Sequence, residues 1–144
     1  MTPTPSQTVG PFFGFALPFA GDAVATPDAI RVEGQVRDGA AEPVGDALLE
    51  VWIGEQFARC RTDVEGAFHF VVAKPDEGFL NVTLFARGLL RHLHTRMYFP
   101  DARDDLLLSV DPGRRQTLIA RREGEILRFD VRLQGDRATV FFAH

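Results

Sequence analysis

The sequence FLNVTLFARGLLRHLHTRMYF, residues 79–99, is the segment on which a core can best be built. Residues 82–86 are apolar at nearly every position, as in a strand near the middle of a sheet. After Gly88, the side chains of residues 89–98 alternate between the two faces of an extended chain. The stretch therefore predicts two core strands joined through a glycine, with Arg87 at the joint.

Outside that stretch, short segments with alternating apolar side chains recur, separated by a turn signal about every ten residues. This pattern predicts an all-β fold, a two-sheet β-sandwich of about seven to eight strands. At most one short helix is expected, beginning at Asp111, because Pro112 suits the first turn of a helix. The other predicted strands are residues 30–37, 47–53, 57–61, 67–72, 126–133 and 138–142.

The N-terminal segment has a composition of its own. Residues 2–11 hold three prolines, which predict an extended arm. Residues 12–19 then carry five large apolar side chains, which a solvated tail would not expose. Two interpretations fit: a tail folded back on its own core, or an arm that packs on a partner subunit.

Composition and charge exclude several classes of function. The 144 residues include 16 Lys and Arg against 20 Asp and Glu, which gives no basic surplus for nucleic acid. No apolar run approaches the roughly 20 residues of a membrane span, and we expect a cytoplasmic protein without a secretory signal. The single cysteine, Cys60, excludes an intrachain disulfide and a cysteine metal cage.

His92 and His94 are a candidate metal pair, because side chains at i and i+2 of a strand share a face. A third ligand would have to be His69, His144 or a carboxylate of residues 101–105. The alternative is a structural pair that bonds neighbouring carbonyl groups.

Arg87 is the candidate binding residue, since it follows an apolar strand directly. A guanidinium there is either paired with a carboxylate or open to an anionic ligand. The candidate partners within the chain are Glu50, Asp63 and Asp130.

Six segments, taken in order, resemble the α subunits of protocatechuate 3,4-dioxygenase, which belong to the intradiol ring-cleavage dioxygenases. The resemblance runs through nearly the whole chain and implies a β-sandwich fold. The chain departs from the family pattern in length, since it is shorter than a usual α subunit. The six segments are TPSQTVGPFF (4–13), DALLEVW (46–52), LFARG (84–88), HLHTRMYF (92–99), RRQTLIARR (114–122) and LRFDVRLQGDRATVFF (127–142).

The resemblance implies that the chemistry takes place on a partner. In the family, a catalytic β subunit holds ferric iron through two tyrosines and two histidines and cleaves protocatechuate with O₂. The two histidine positions align here with Phe79 and Asn81, and the chain has a single tyrosine, Tyr98. No metal ligand or catalytic residue is therefore expected on this chain, and Fe(III) is expected on the β subunit.

The resemblance also implies a role for the arm. Thr8, Gly10, Pro11 and Arg87 match α-subunit positions that line the substrate cavity of the β subunit. Residues 1–29 are then expected to pack on that partner, and residues 30–144 to form one sandwich domain. The competing hypothesis is a stand-alone β-sandwich binding module, with a divalent metal on the two histidines.

Overall fold

The structure is a computed structural model that describes residues 30–89, 91–135 and 137–142. The predicted arm of residues 1–29 lies outside this part of the chain. No helix among the described residues is long and apolar enough to cross a membrane. The described strands are β1 Ile30–Arg37, β2 Ala47–Ile53, β3 Gln56–Arg61, β4 Ala67–Val72, β5 Phe79–Ala86, β6 Leu93–Tyr98, β7 Arg121–Glu123, β8 Ile126–Arg128 and β9 Val131–Arg132.

The strands form two sheets, which confirms the predicted sandwich. Sheet A has the order β3-β2-β5-β6 and is antiparallel throughout. Sheet B has the order β4-β1-β8-β7, and β9 also pairs with β1. The inner faces of both sheets supply the core, which includes Val32, Leu49, Val51, Phe68, Phe70, Leu80, Val82, Leu84, Met97, Leu127 and Phe129.

The strands β5 and β6 come from the stretch that the sequence predicted. β5 lies between β2 and β6, and Leu84 on its inner face pairs with Leu49 of β2. The second strand is shorter than predicted, since it begins at Leu93 rather than at residue 89. Burying each large apolar side chain of this inner face contributes about 1.5–3 kcal/mol.

The predicted strand 126–133 is interrupted, which the sequence pattern did not reveal. β8 and β9 pair with β1 in parallel but are separated by Phe129 and Asp130. A Cβ atom on residue 34 would lie only 1.8 Å from the Phe129 carbonyl oxygen, so the glycine leaves room for this oxygen. The Asp130 carboxylate then accepts the Gln35 N–H bond at 2.9 Å, so a side chain replaces one backbone partner.

The segment that connects β6 of sheet A to β7 of sheet B contains two short helices. Residues Pro112–Leu118 form a 3-10 helix where the sequence predicted a helix, and the Asp111 side chain caps it. A helix that was not predicted, α1, covers Asp105–Ser109. The predicted last strand, 138–142, is wrong, because these residues form only one isolated bridge, between Phe142 and His94.

Candidate functional site

Arg87 sits in a tight turn at the end of β5. The Leu89 N–H donates to the Ala86 carbonyl oxygen at 3.2 Å, which closes the turn. Gly88 has φ +90°, as the third position of such a turn requires. Arg87 is therefore held at the outer corner, and 88% of its side chain is exposed.

Asp46 is the carboxylate nearest to Arg87. Its Oδ2 lies 3.3 Å from the Arg87 Nε. Ala47 pairs with Ala86 in the β2–β5 ladder. Asp46 precedes Ala47 and Arg87 follows Ala86, so their side chains meet just beyond this pair. The candidate partners Glu50, Asp63 and Asp130 were wrong.

Each of those three carboxylates has another role. Glu50 pairs with Arg59 across β2 and β3 at 3.1 Å. Asp63 accepts backbone N–H bonds within its own turn, and Asp130 pairs with Arg128 at 2.9 Å. The sequence does place Asp46 directly before a predicted strand. It does not reveal the strand register that brings Asp46 to Arg87.

Thr8, Gly10 and Pro11 lie outside the described residues, so their predicted place beside Arg87 stays a prediction. The structure describes Arg87 alone of the four predicted binding residues.

The two positions aligned with histidine ligands lie on the outer face of sheet A. Phe79 and Asn81 are alternate residues of β5, opposite Tyr98 and Arg96 of β6. The Phe79 ring contacts the Tyr98 ring, with centroids 5.5 Å apart. The Arg96 guanidinium lies 3.9 Å from the Phe79 ring centroid. Neither Phe79 nor Asn81 carries an imidazole, and the positively charged Arg96 side chain lies beside them.

Tyr98, the one tyrosine of the chain, is committed to a structural role. It is fully buried, and its hydroxyl donates to the Asp104 carboxylate at 2.9 Å. Burial is the largest cause that raises the pKa of Tyr98. A tyrosinate ligand needs the deprotonated phenol, which this environment disfavours.

The described residues do not fit a ferric centre of the two-tyrosine, two-histidine kind. Among them, no group of three or more His, Cys, Asp or Glu side chains could hold a metal ion. The prediction that this chain has no metal ligand stays a prediction.

His92 and His94 lie close together, as their spacing predicted. Their rings are 5.8 Å apart and nearly perpendicular. His94 Nδ1 lies 3.1 Å from the Thr83 hydroxyl, which also accepts a bond from Trp52 Nε1 at 3.3 Å. His92 precedes β6 and packs beside Phe85, with ring centroids 5.2 Å apart. Among the described residues, no third His, Cys, Asp or Glu side chain joins the two histidines in a group that could hold a metal ion. Thr83, which sequence reasoning missed, connects Trp52 to His94.

Comparison with known proteins identifies the family. The α chain of protocatechuate 3,4-dioxygenase from Pseudomonas putida is 36% identical over 191 aligned residues, covering 96% of this chain and 95% of that relative. The chain belongs to the protocatechuate 3,4-dioxygenase α-chain family. The alignment is longer than this α chain itself, so the relative carries internal segments that are missing here.

A β chain and a solved structure are more distantly similar to this chain. The β chain of protocatechuate 3,4-dioxygenase from Burkholderia cepacia is 29% identical over 137 residues, covering 72% of this chain and 57% of that relative. The dioxygenase domain of a carbohydrate-binding fusion from Streptomyces sp. SirexAA-E shares the fold, with a TM-score of 0.57 and 21% identity. That match covers 93% of this chain and 99% of the other. A search against family models found no match.

Proposed function

We propose that this chain is the iron-free α subunit of a cytoplasmic protocatechuate 3,4-dioxygenase. Its partner is a β subunit that cleaves protocatechuate with O₂ to 3-carboxy-cis,cis-muconate in the β-ketoadipate route of aromatic catabolism. The observation that carries the proposal is α-chain family membership together with described residues that do not form a two-tyrosine, two-histidine ligand set. Phe79 and Asn81 replace the two imidazoles, and Tyr98 is buried against Asp104.

The ferric iron of the enzyme then belongs to the β subunit. This chain contributes binding and shape to the pocket rather than a chemical step.

Arg87 is the part of this chain that we expect to meet the substrate. Protocatechuate carries a carboxylate, and a guanidinium binds such a group through two parallel N–H bonds. Asp46 approaches Arg87 at Nε, and the side chain is largely exposed. The terminal nitrogens therefore remain accessible to a substrate anion, while Asp46 restrains the side chain.

Thr8, Gly10 and Pro11 complete our proposed binding set. A glycine and backbone N–H groups allow an anion to approach the main chain closely. The arm would thus close the pocket from the α side, and Arg87 would supply its positive charge.

Co-expression with the β-type chain from the same source tests the proposal. The two chains should elute together, contain iron and consume protocatechuate, while this chain alone is colourless and inactive. Ring cleavage by the single chain would contradict the proposal. So would a β chain that is fully active alone while this chain elutes separately.

A further inference from the structure

Charged side chains form an ordered array on the outer face of sheet B. Val32 and Val36 of β1 belong to the core, so the residues that alternate with them lie on the outer face. Strands β8 and β9 run parallel beside β1 and bring a second row of side chains alongside the first. The first row is Arg31, Glu33, Gln35 and Arg37, and the second row is Arg128, Asp130 and Arg132.

Most of the charges in this array are paired. Each carboxylate of the two rows has an arginine partner, and a third ion pair borders them on β7. These pairs are Arg31–Glu33, Arg128–Asp130 and Arg121–Glu123. None of these carboxylates lies at the end of the array that Arg37 and Arg132 occupy.

Arg37 and Arg132 stand directly beside each other at that end. They are partners in the parallel β1–β9 ladder, and neighbouring strands lie about 4.8 Å apart. Like charges directly opposite one another destabilise a sheet. We call these two residues the arginine pair. Within the described residues neither of them forms an ion pair, so their repulsion is not neutralised there.

Arg132 carries its charge in a partly desolvated position. Two hydrogen bonds of 2.9 Å with Thr139 fix its backbone. Its Nε is shielded from water and has no hydrogen-bond partner among the described residues. A buried donor without a partner calls for an ion or a water molecule nearby. An anion at the terminal nitrogens of such a guanidinium gains more free energy than at a fully hydrated side chain.

Arg37 is exposed, and Gln35 holds its guanidinium in place. The Arg37 Nε and Nη2 donate to the Gln35 Oε1 at 3.0 and 2.6 Å. Gln35 Nε2 in turn donates to the Glu65 carbonyl oxygen at 2.6 Å. These bonds orient Arg37 from one edge and do not involve Nη1. Less conformational entropy is therefore lost when Nη1 meets a ligand.

The carboxylates of the turn after β1 do not neutralise the arginine pair. Asp38 Oδ1 accepts the N–H groups of Ala40 and Glu42 at 2.9 and 3.0 Å, which holds the turn together. Glu42 is exposed. Within the described part of the chain neither carboxylate forms an ion pair. The counterion of the arginine pair is therefore to be sought outside the described residues.

We propose that the arginine pair binds one oxyanion, a carboxylate or a phosphate group, which contacts both guanidiniums. A guanidinium presents its N–H donors in a plane that matches the oxygens of such groups. The bound anion replaces one repulsion by two attractions. The inference does not rest on the proposed function, because it uses only the outer face of sheet B.

Thermal unfolding of the isolated full-length chain tests the proposal with inorganic phosphate as the probe. Sodium chloride is exchanged for phosphate at constant ionic strength and pH, so that general screening stays the same. The melting temperature of the wild type should rise by several degrees and reach a plateau, because a ligand of the folded state stabilises it. In Arg132→Gln and in Arg37→Gln this rise should be lost.

Arg122→Gln is the matched control. Arg122 is an exposed arginine of β7 that forms no ion pair within the described residues, and its variant should respond to phosphate as the wild type does. In chloride alone, Arg132→Gln should be at least as stable as the wild type, because the repulsion is relieved. An arginine with a purely structural role would instead lose stability there. No rise in the wild type, or an equal rise in Arg132→Gln, would overturn the proposal.

Nuclear magnetic resonance gives a second measurement at the arginine itself. In the ¹⁵N-labelled chain, the Nε–H signal of Arg132 is identified by its absence from Arg132→Gln. It should shift with phosphate and saturate at one ion per chain. In Arg37→Gln the apparent affinity should fall about tenfold or more. A signal that does not respond to phosphate would contradict the proposal.

Addition of the β chain distinguishes the two sources of the oxyanion. If the β chain displaces phosphate from the arginine pair, the natural occupant is a carboxylate of that partner. If phosphate stays bound, the natural occupant is a free anion. Because the deciding measurements use the isolated chain, they can fail while co-purification and activity with the β chain succeed, and the reverse also holds.

Discussion

Asp46 and Arg87 face each other across the ends of β2 and β5, with Oδ2 3.3 Å from Nε. The pair closes the ladder one step beyond Ala47 and Ala86. An exposed ion pair of this kind contributes at most about 1 kcal/mol to folding. The main effect of the ion pair is therefore to orient the Arg87 guanidinium. Asp46 contacts only its Nε, so the other N–H donors remain accessible.

In the assembled αβ enzyme, Arg87→Ala should raise KM for protocatechuate about tenfold, because a charge-assisted bond of about 1.4 kcal/mol is lost. The value of kcat should change little if, as we propose, the iron chemistry belongs to the partner. Steady-state kinetics at low and high salt would measure this, and the defect should shrink as salt screens the charge.

Asp46→Asn is the matched change on the same ion pair. It removes the competing negative charge and should leave KM equal or lower. If KM is unchanged in Arg87→Ala while the complex remains intact, Arg87 does not contribute to substrate binding.

Tyr98→Phe should lower the free energy of unfolding by about 1–3 kcal/mol, because Asp104 and Arg96 lose a buried partner. Asp104→Ala should cost more, since Asp104 also caps α1 through the Leu107 N–H at 2.8 Å. Urea denaturation measures both. Asp105→Ala, the exposed neighbour in the same turn, is the control and should stay within about 0.5 kcal/mol of wild type. A loss for Asp105→Ala as large as that for Asp104→Ala would contradict this account.

Gly34→Ala should destabilise the fold by more than about 3 kcal/mol. The new Cβ would lie 1.8 Å from the Phe129 carbonyl oxygen and 2.5 Å from the Phe68 ring, and a backbone oxygen cannot move away alone. Gly113→Ala is the comparison, because its Cβ meets only Asp111 Oδ1 at 3.6 Å. Thermal unfolding should separate the two variants clearly. Similar melting temperatures would show that the β8–β9 interruption can relax.

His69 should make folding sensitive to acid. Burial, with a smaller effect of Arg31, lowers the pKa of His69 from 6.5 to about 4. Between these values the unfolded chain binds more protons, so stability is full above pH 6.5 and falls as the pH drops toward 4. His69→Gln should remove up to about 3 kcal/mol of this dependence. Urea titrations of both proteins at several pH values would test it, and parallel curves would rule it out.

Restoring the two imidazoles should not restore the iron site. The double change Phe79→His and Asn81→His puts both rings on the outer face of β5, yet the chain still has one tyrosine, buried against Asp104. After loading with ferric salt, the variant should show neither stoichiometric iron nor a tyrosinate absorption band. A β chain loaded in parallel is the positive control. A coloured one-to-one complex would refute the reasoning.

Local pattern predicted the second half of β5 from its apolar run and most of β6 from its alternation, because the burial of strand faces is reflected in neighbouring residues of the sequence. It did not predict the break at Phe129 and Asp130, since the alternation continues through them while Gly34, far away in sequence, admits a carbonyl oxygen. It likewise assigned Arg87 the wrong partners, because a long-range register selects the carboxylate.

The sequence by itself predicted what this chain lacks: it has one tyrosine, and Phe79 and Asn81 stand where the family resemblance implies histidine ligands. It also predicted most of the strands, but it missed β7 and the break between β8 and β9, and its last strand, 138–142, was wrong. Only the tertiary structure decided that Asp46 meets Arg87, that Tyr98 donates to Asp104, and that Arg132 stands beside Arg37. The physical reason is that periodicity acts between neighbours in the chain, whereas strand register and burial depend on the whole sandwich packing at once.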